Sequence, residues 1–142
     1  MRVNRKTKGE QGFTLVELLV VMVILGLLAS LVLPNFFRQG AKARVGVARS
    51  QIAQLGTALD AYALDTGRYP TDSEGLEALI EAPGDARNWD GPYLKKAVPK
   101  DPWGNDYMYS TGGATGSYTL MSNGADGKSG GDGDNADISS ND

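Results

Sequence analysis

The chain has 142 residues, with 14 Lys and Arg against 17 Asp and Glu, and neither cysteine nor histidine. That length is one domain by the usual prior; no disulfide supports it, and Ser-His-Asp, Cys-His and H-E-x-x-H chemistries are excluded. The net charge of −3 is uneven: Arg2, Arg5, Lys6 and Lys8 against Glu10 leave +3 on residues 1–12, so the remainder carries −6 and argues against nucleic acid as a partner.

In chain order, the basic start leads into Phe13–Leu33, 21 residues in which Glu17 is the one charge. A helix of that length crosses a hydrocarbon core of about 30 Å. The basic flank predicts that residues 1–12 stay cytoplasmic and that the C-terminal part crosses to the other side. The run is too long for a secretory signal, and Leu27-Leu28-Ala29-Ser30 is a poor cleavage site. A plain anchor explains the length but not Glu17, whose carboxylate costs a few kcal/mol or more in lipid and needs a partner. Cleavage after Gly12 would supply one: the new ammonium of Phe13 on one subunit could neutralise Glu17 on the next.

Gly12-Phe13-Thr14-Leu15-Val16-Glu17 resembles the type IV prepilin motif. The resemblance implies cutting after Gly12 by prepilin peptidase and methylation of Phe13. It makes Glu17 the fifth residue of the mature chain, where it sets register in a filament. A true type IV pilin is the alternative within this superfamily.

Apolar periodicity continues as Val45, Ala48, Ile52, Leu55, Leu59 and Tyr62, one stripe of a helix. Arg38, Lys42, Arg44, Arg49, Gln54 and Asp60 lie opposite, and this basic face suits lipid headgroups, a neighbour's acidic face, or solvent alone. Gly67 is a stop signal. These signs predict a helix from about Phe13 to Asp65, on the order of 80 Å at 1.5 Å per residue. Its first half would project and its second half would pack on a small core. Pro34 is expected to interrupt it, with Gly26 weakening it nearby. This reads as a local kink, or, as the resemblance implies, as a segment that unwinds on assembly.

Thr71-Asp72-Ser73-Glu74 reads as a capping box opening a short helix, about Ser73 to Glu81, with Leu76, Leu79 and Ile80 inward and Pro83 as its stop. A turn-rich stretch then runs through Gly91-Pro92 and Val98–Asn105, and its Trp103 is expected on the core. Asp106–Ser110 and Ser117–Ser122 read as a hairpin turning at Gly112-Gly113. The aromatic residues read as core filling rather than a ligand groove. Gly67-Arg68-Tyr69-Pro70-Thr71, Gly75-Leu76-Glu77-Ala78-Leu79, Gly91-Pro92-Tyr93-Leu94 and Pro99-Lys100-Asp101-Pro102-Trp103-Gly104-Asn105 resemble the major pseudopilins of type II secretion systems. The proline-rich block favours that branch over the fibre-forming pilins, as does the lack of cysteine.

In the C-terminal loop Asp126, Asp132, Asp134 and Asp137 fall within twelve residues among glycines. Carboxylates and inward-turned carbonyls suit Ca²⁺, while an acidic disordered tail has the same composition. The EF-hand spacing fails. The family resemblance implies structural calcium held by Asp126 and Asp137, with backbone carbonyls of Asn123 and Lys128. Ala136 stands where some relatives have a further aspartate, so Asp134 or Asp132 is expected to substitute.

The resemblance thus implies an α+β, type IV pilin-like fold: a long N-terminal helix packed on a small antiparallel sheet, with a C-terminal calcium loop. Residues 1–12 would be the leader, 13–33 the transmembrane and filament-core half of the helix, and 34–142 the periplasmic part. The expected function is a non-enzymatic subunit of the secretion pseudopilus, a homopolymer working with minor pseudopilins and inner-membrane machinery to export folded proteins. A membrane-anchored enzyme or binding module is a third reading, with no catalytic constellation in its favour.

Overall fold

The structure, a computed structural model, describes residues 12–112 and 117–142. The leader before Gly12, and Gly113 of the expected hairpin turn, lie outside the described residues. The chain divides into two compact units, Met1–Arg38 and Gln39–Asp142. Helix α1 spans Leu15–Thr66, within two residues of the expected limits at either end.

In the first unit α1 is apolar on all sides, and no large apolar side chain from Phe13 to Leu33 is less than 47% exposed. Such a helix buries its surface in lipid or against other chains, and its length and hydropathy suffice to cross a membrane. Contrary to expectation, Pro34 does not interrupt it: α1 continues through that residue. A proline removes one backbone bond and crowds one turn, a cost that neighbouring intact turns can absorb.

In the second unit the periodic stripe of α1 is the core. Ala48, Ile52, Leu55, Leu59 and Tyr62 are all buried, joined by Leu76, Ala78, Leu79, Tyr107, Leu120 and Ile138. Full burial of each large side chain is worth about 1.5–3 kcal/mol. The helix ends where Gly67 turns left-handed at φ +81° while its N–H still bonds to Ala63 O at 2.8 Å.

The capping box forms: Thr71 N–H donates to Glu74 Oε2 at 2.6 Å, and Glu74 N–H to Thr71 Oγ1 at 3.3 Å. The element that it opens is shorter than the predicted helix, a 3₁₀ turn over Gly75–Leu79. Gly75 sits at φ +59°, off the right-handed path, which breaks a regular α-helix at its start, and Pro83 lies beyond the turn as a bar to further helix.

Strands β1 (Met108–Thr111), β2 (Tyr118–Ser122) and β3 (Ile138–Ser139) form an antiparallel sheet in that order. Tyr109 faces Leu120, and Ser122 faces Ile138. The third strand goes beyond the expected hairpin, since two residues carry no readable alternation. The aromatic residues do fill the core. Tyr62, Tyr93 and Trp89 pack edge to face, and Trp103 lies against the same cluster. Tyrosine hydroxyls at the margin tie loops down: Tyr93 to Asp65 at 2.7 Å, Tyr69 to Asp60 at 2.9 Å and Tyr109 to Pro70 O at 2.7 Å.

Arg68 grips the capping glutamate with both guanidinium nitrogens, at 2.7 and 2.8 Å. That pairing holds the Glu74 carboxyl down from 4.5 to about 2, with the Thr71 N–H adding to it. A carboxyl depressed in the folded state stabilises the protein above its unfolded value, and the benefit disappears as pH falls from about 4.5 toward 2. Discounted for the partial exposure of Arg68, Glu74→Gln should cost about 1–2 kcal/mol at pH 7 in denaturant unfolding. The gap between wild type and variant should close at about pH 2.

Candidate functional site

At the N-terminus of α1 the chain makes a second capping box. Thr14 N–H donates to Glu17 Oε2 at 2.9 Å, and Glu17 N–H to Thr14 Oγ1 at 3.2 Å. Thr14 as a partner of Glu17 is an addition to the expected site, although the T-x-x-E spacing carries that signal. The box holds Glu17 beside the backbone of Thr14, directly after Phe13. Oε1 makes no hydrogen bond among the described residues. The basic residues Arg38, Lys42, Arg44 and Arg49 are exposed, and none of them forms an ion pair among the described residues.

The acidic loop is folded on itself. A Cβ on Gly124, at φ +67°, would meet Asp134 O at 2.6 Å; one on Gly131, at φ +99°, would meet Asn135 O at 2.5 Å. Only glycine allows these approaches. Ala125 N–H donates to Asp134 O at 2.8 Å, which joins the two ends of the loop. Asp137 Oδ2 accepts from Gly130 N–H at 2.8 Å and Ser129 Oγ at 3.4 Å. Asn123 Nδ2 donates to Met108 Sδ at 3.0 Å.

Three oxygens in this loop are buried without any hydrogen-bond donor: Asn123 Oδ1, Asp134 Oδ1 and Asp137 Oδ1. An unsatisfied buried acceptor costs about 1–3 kcal/mol, more when it is charged. Three on one short loop fit a hard cation, which takes oxygen donors from carboxylates, amides and carbonyls. Among the described residues no three acidic, histidine or cysteine side chains group as metal ligands. The buried oxygens that could serve a cation are thus two carboxylates and an amide, which carbonyls would have to complete. Of the expected ligands, Asp134 and Asp137 turn an oxygen inward. Asp126 is exposed, and its Oδ1 accepts from Lys128 N–H at 3.0 Å. Asp132 is also exposed. Asn123 offers a side-chain oxygen in addition to the carbonyl that the resemblance implies.

A long apolar helix opening on a G-F-T-x-x-E segment, followed by a helix-packed antiparallel sheet, defines a pilin-like subunit. Residues 7–33 match the prokaryotic N-terminal methylation motif. Residues 35–141 match the type II secretion system (T2SS), protein G family, and the chain belongs to that family. It is 47% identical over 137 residues to the type II secretion system core protein G of Vibrio cholerae, covering 94% of this chain and 93% of that one. It is 48% identical over 136 residues to the core protein G of Pseudomonas aeruginosa, covering 92% and 94%. The crystal structure of the major pseudopilin from the type 2 secretion system of enterohaemorrhagic Escherichia coli matches with a TM-score of 0.62 and 35% identity, over 75% of this chain and 94% of that one. The chain is a structural subunit of the type II secretion pseudopilus, and a true type IV pilin is not favoured.

Proposed function

We propose that the precursor is anchored in the bacterial inner membrane by α1 with its second unit in the periplasm, is cut after Gly12 by prepilin peptidase, and is methylated at Phe13. The mature chain then polymerises with copies of itself. Minor pseudopilins and the inner-membrane machinery join this periplasmic filament, which drives folded proteins outward. What supports the reading is Glu17, the one charge in the apolar run Phe13–Leu33 of α1, held by Thr14 next to the bond to be cut. Its free Oε1 can accept the Phe13 ammonium of a neighbour, so that two charges that lipid disfavours cancel when subunits meet.

The acidic loop takes Ca²⁺ in the same proposal. Asn123, Asp134 and Asp137 would hold it, with the carbonyls of Asn123 and Lys128 and the Asp126 carboxylate supplied by the family resemblance. Bound, the ion supplies fixed positive charge to oxygens that otherwise lack donors, and its binding energy becomes folding energy for the second unit.

Intact mass of the protein purified from membranes tests processing. The expected result is loss of Met1–Gly12 and gain of one methyl; an uncut chain overturns the proposal.

A further inference from the structure

The proline-rich block is joined to the acidic loop by a buried relay. Asp101 is 4% exposed, and Ser122 is fully buried. Asp101 Oδ1 accepts from Trp103 N–H at 3.1 Å and Asn105 N–H at 2.8 Å. Its backbone closes the same turn, with Asp101 N–H to Asn105 O at 2.8 Å and Gly104 N–H to Asp101 O at 2.9 Å. The other carboxylate oxygen, Oδ2, accepts from Ser122 Oγ at 2.6 Å, and Ser122 Oγ in turn accepts from Gly124 N–H at 3.2 Å. On the far side of the same glycine, Asn105 Nδ2 donates to Gly124 O at 2.9 Å.

Gly124 is thus gripped at both its N–H and its C=O by side chains anchored on one turn. Peptide units are planar, and their N–H and C=O point opposite ways. Directing the Gly124 N–H at Ser122 therefore turns the Asn123 carbonyl away from the relay. Directing the Gly124 carbonyl at Asn105 turns Ala125 N–H the other way, where it meets Asp134 O at 2.8 Å.

We infer that Asp101, Ser122 and Asn105 are positioning residues for cation binding, fixing the two peptide planes around Gly124 so that Asn123 and Asp134 present their oxygens together. This rests on the calcium reading above. Asp101 and Ser122 spend their oxygens within the relay, and in the proposal all three act through the backbone, as outer-shell groups do when they orient ligands.

Two variants of the full chain in detergent micelles test it, with calcium affinity measured by isothermal titration calorimetry on protein shown to be folded by circular dichroism. Asn105→Asp is isosteric but removes the donor to Gly124 O and adds negative charge. Asp101→Asn keeps an acceptor for the turn, takes the charged acceptor from the Ser122 hydroxyl and leaves an N–H donor in its place, and removes negative charge. Both should weaken calcium binding by about 10–100-fold. Because the charge changes are opposite, a shared loss cannot be simple electrostatics. Unchanged affinity, or affinities that move in opposite directions with the charge, overturn the inference. A wild-type chain that binds no Ca²⁺ overturns the calcium reading and this inference with it.

Discussion

Glu17→Gln is expected to leave the protein inserted in the membrane and its second unit folded, yet to abolish filaments. Glutamine retains an acceptor for Thr14 N–H, which Glu17 Oε2 now takes at 2.9 Å, so the capping box survives. Only the negative charge is lost. Removing one partner of a charge pair buried in a low-dielectric interface costs about 3–5 kcal/mol, a drop of at least a hundredfold in the association constant at each subunit addition. Glu17→Ala removes cap and charge together and should be no less severe. Pseudopili imaged by electron microscopy and quantified after shearing give the readout. Normal filaments from Glu17→Gln would show that the residue serves α1 as a cap and does not pair with the Phe13 ammonium.

Chelation is the second large effect. With Ca²⁺ at about a hundred times its dissociation constant, binding adds about 2.7 kcal/mol to the folded state. For a unit of this size each kcal/mol shifts the melting temperature by about 4–8 °C, so EGTA should lower it by about 10 °C or more. Replacing Asp134 and Asp137 with asparagine should produce most of that loss in the presence of calcium, and chelator should then add little. In the proposed site the oxygens that would bind the ion are the buried, donor-less ones of Asn123, Asp134 and Asp137. A melt that is identical with calcium and with EGTA would remove the ion from the account. The loop would then need another source of donors for those three atoms.

The local features of this chain are legible in its sequence because each is written over a few neighbouring residues. The apolar run around Glu17, the stripe from Ala48 to Tyr62, the stop at Gly67 and the Thr71–Glu74 capping box all depend on spacings of one to four residues. Those spacings are set by backbone geometry alone. The prepilin motif and the proline-rich block carry the family in the same way.

The rest depends on the conformation the folded backbone takes at single positions and on contacts between segments far apart in the chain. Strand β3 exists because Ile138 and Ser139 find β2, not because two residues favour a strand. The segment after Glu74 tightens to a 3₁₀ turn because Gly75 takes a left-handed conformation. Pro34 stays inside α1, although proline at a helix interior removes one backbone bond. Composition places four aspartates in one loop but does not say which oxygens lack donors, since that is decided by which backbone N–H groups reach each carboxylate. Gly130 N–H satisfies one oxygen of Asp137 and leaves the other bare. The buried relay joins Asp101 to Ser122, 21 residues away. Such a pairing leaves no periodic mark on a sequence, because it is made by the folding of the chain and not by its local geometry.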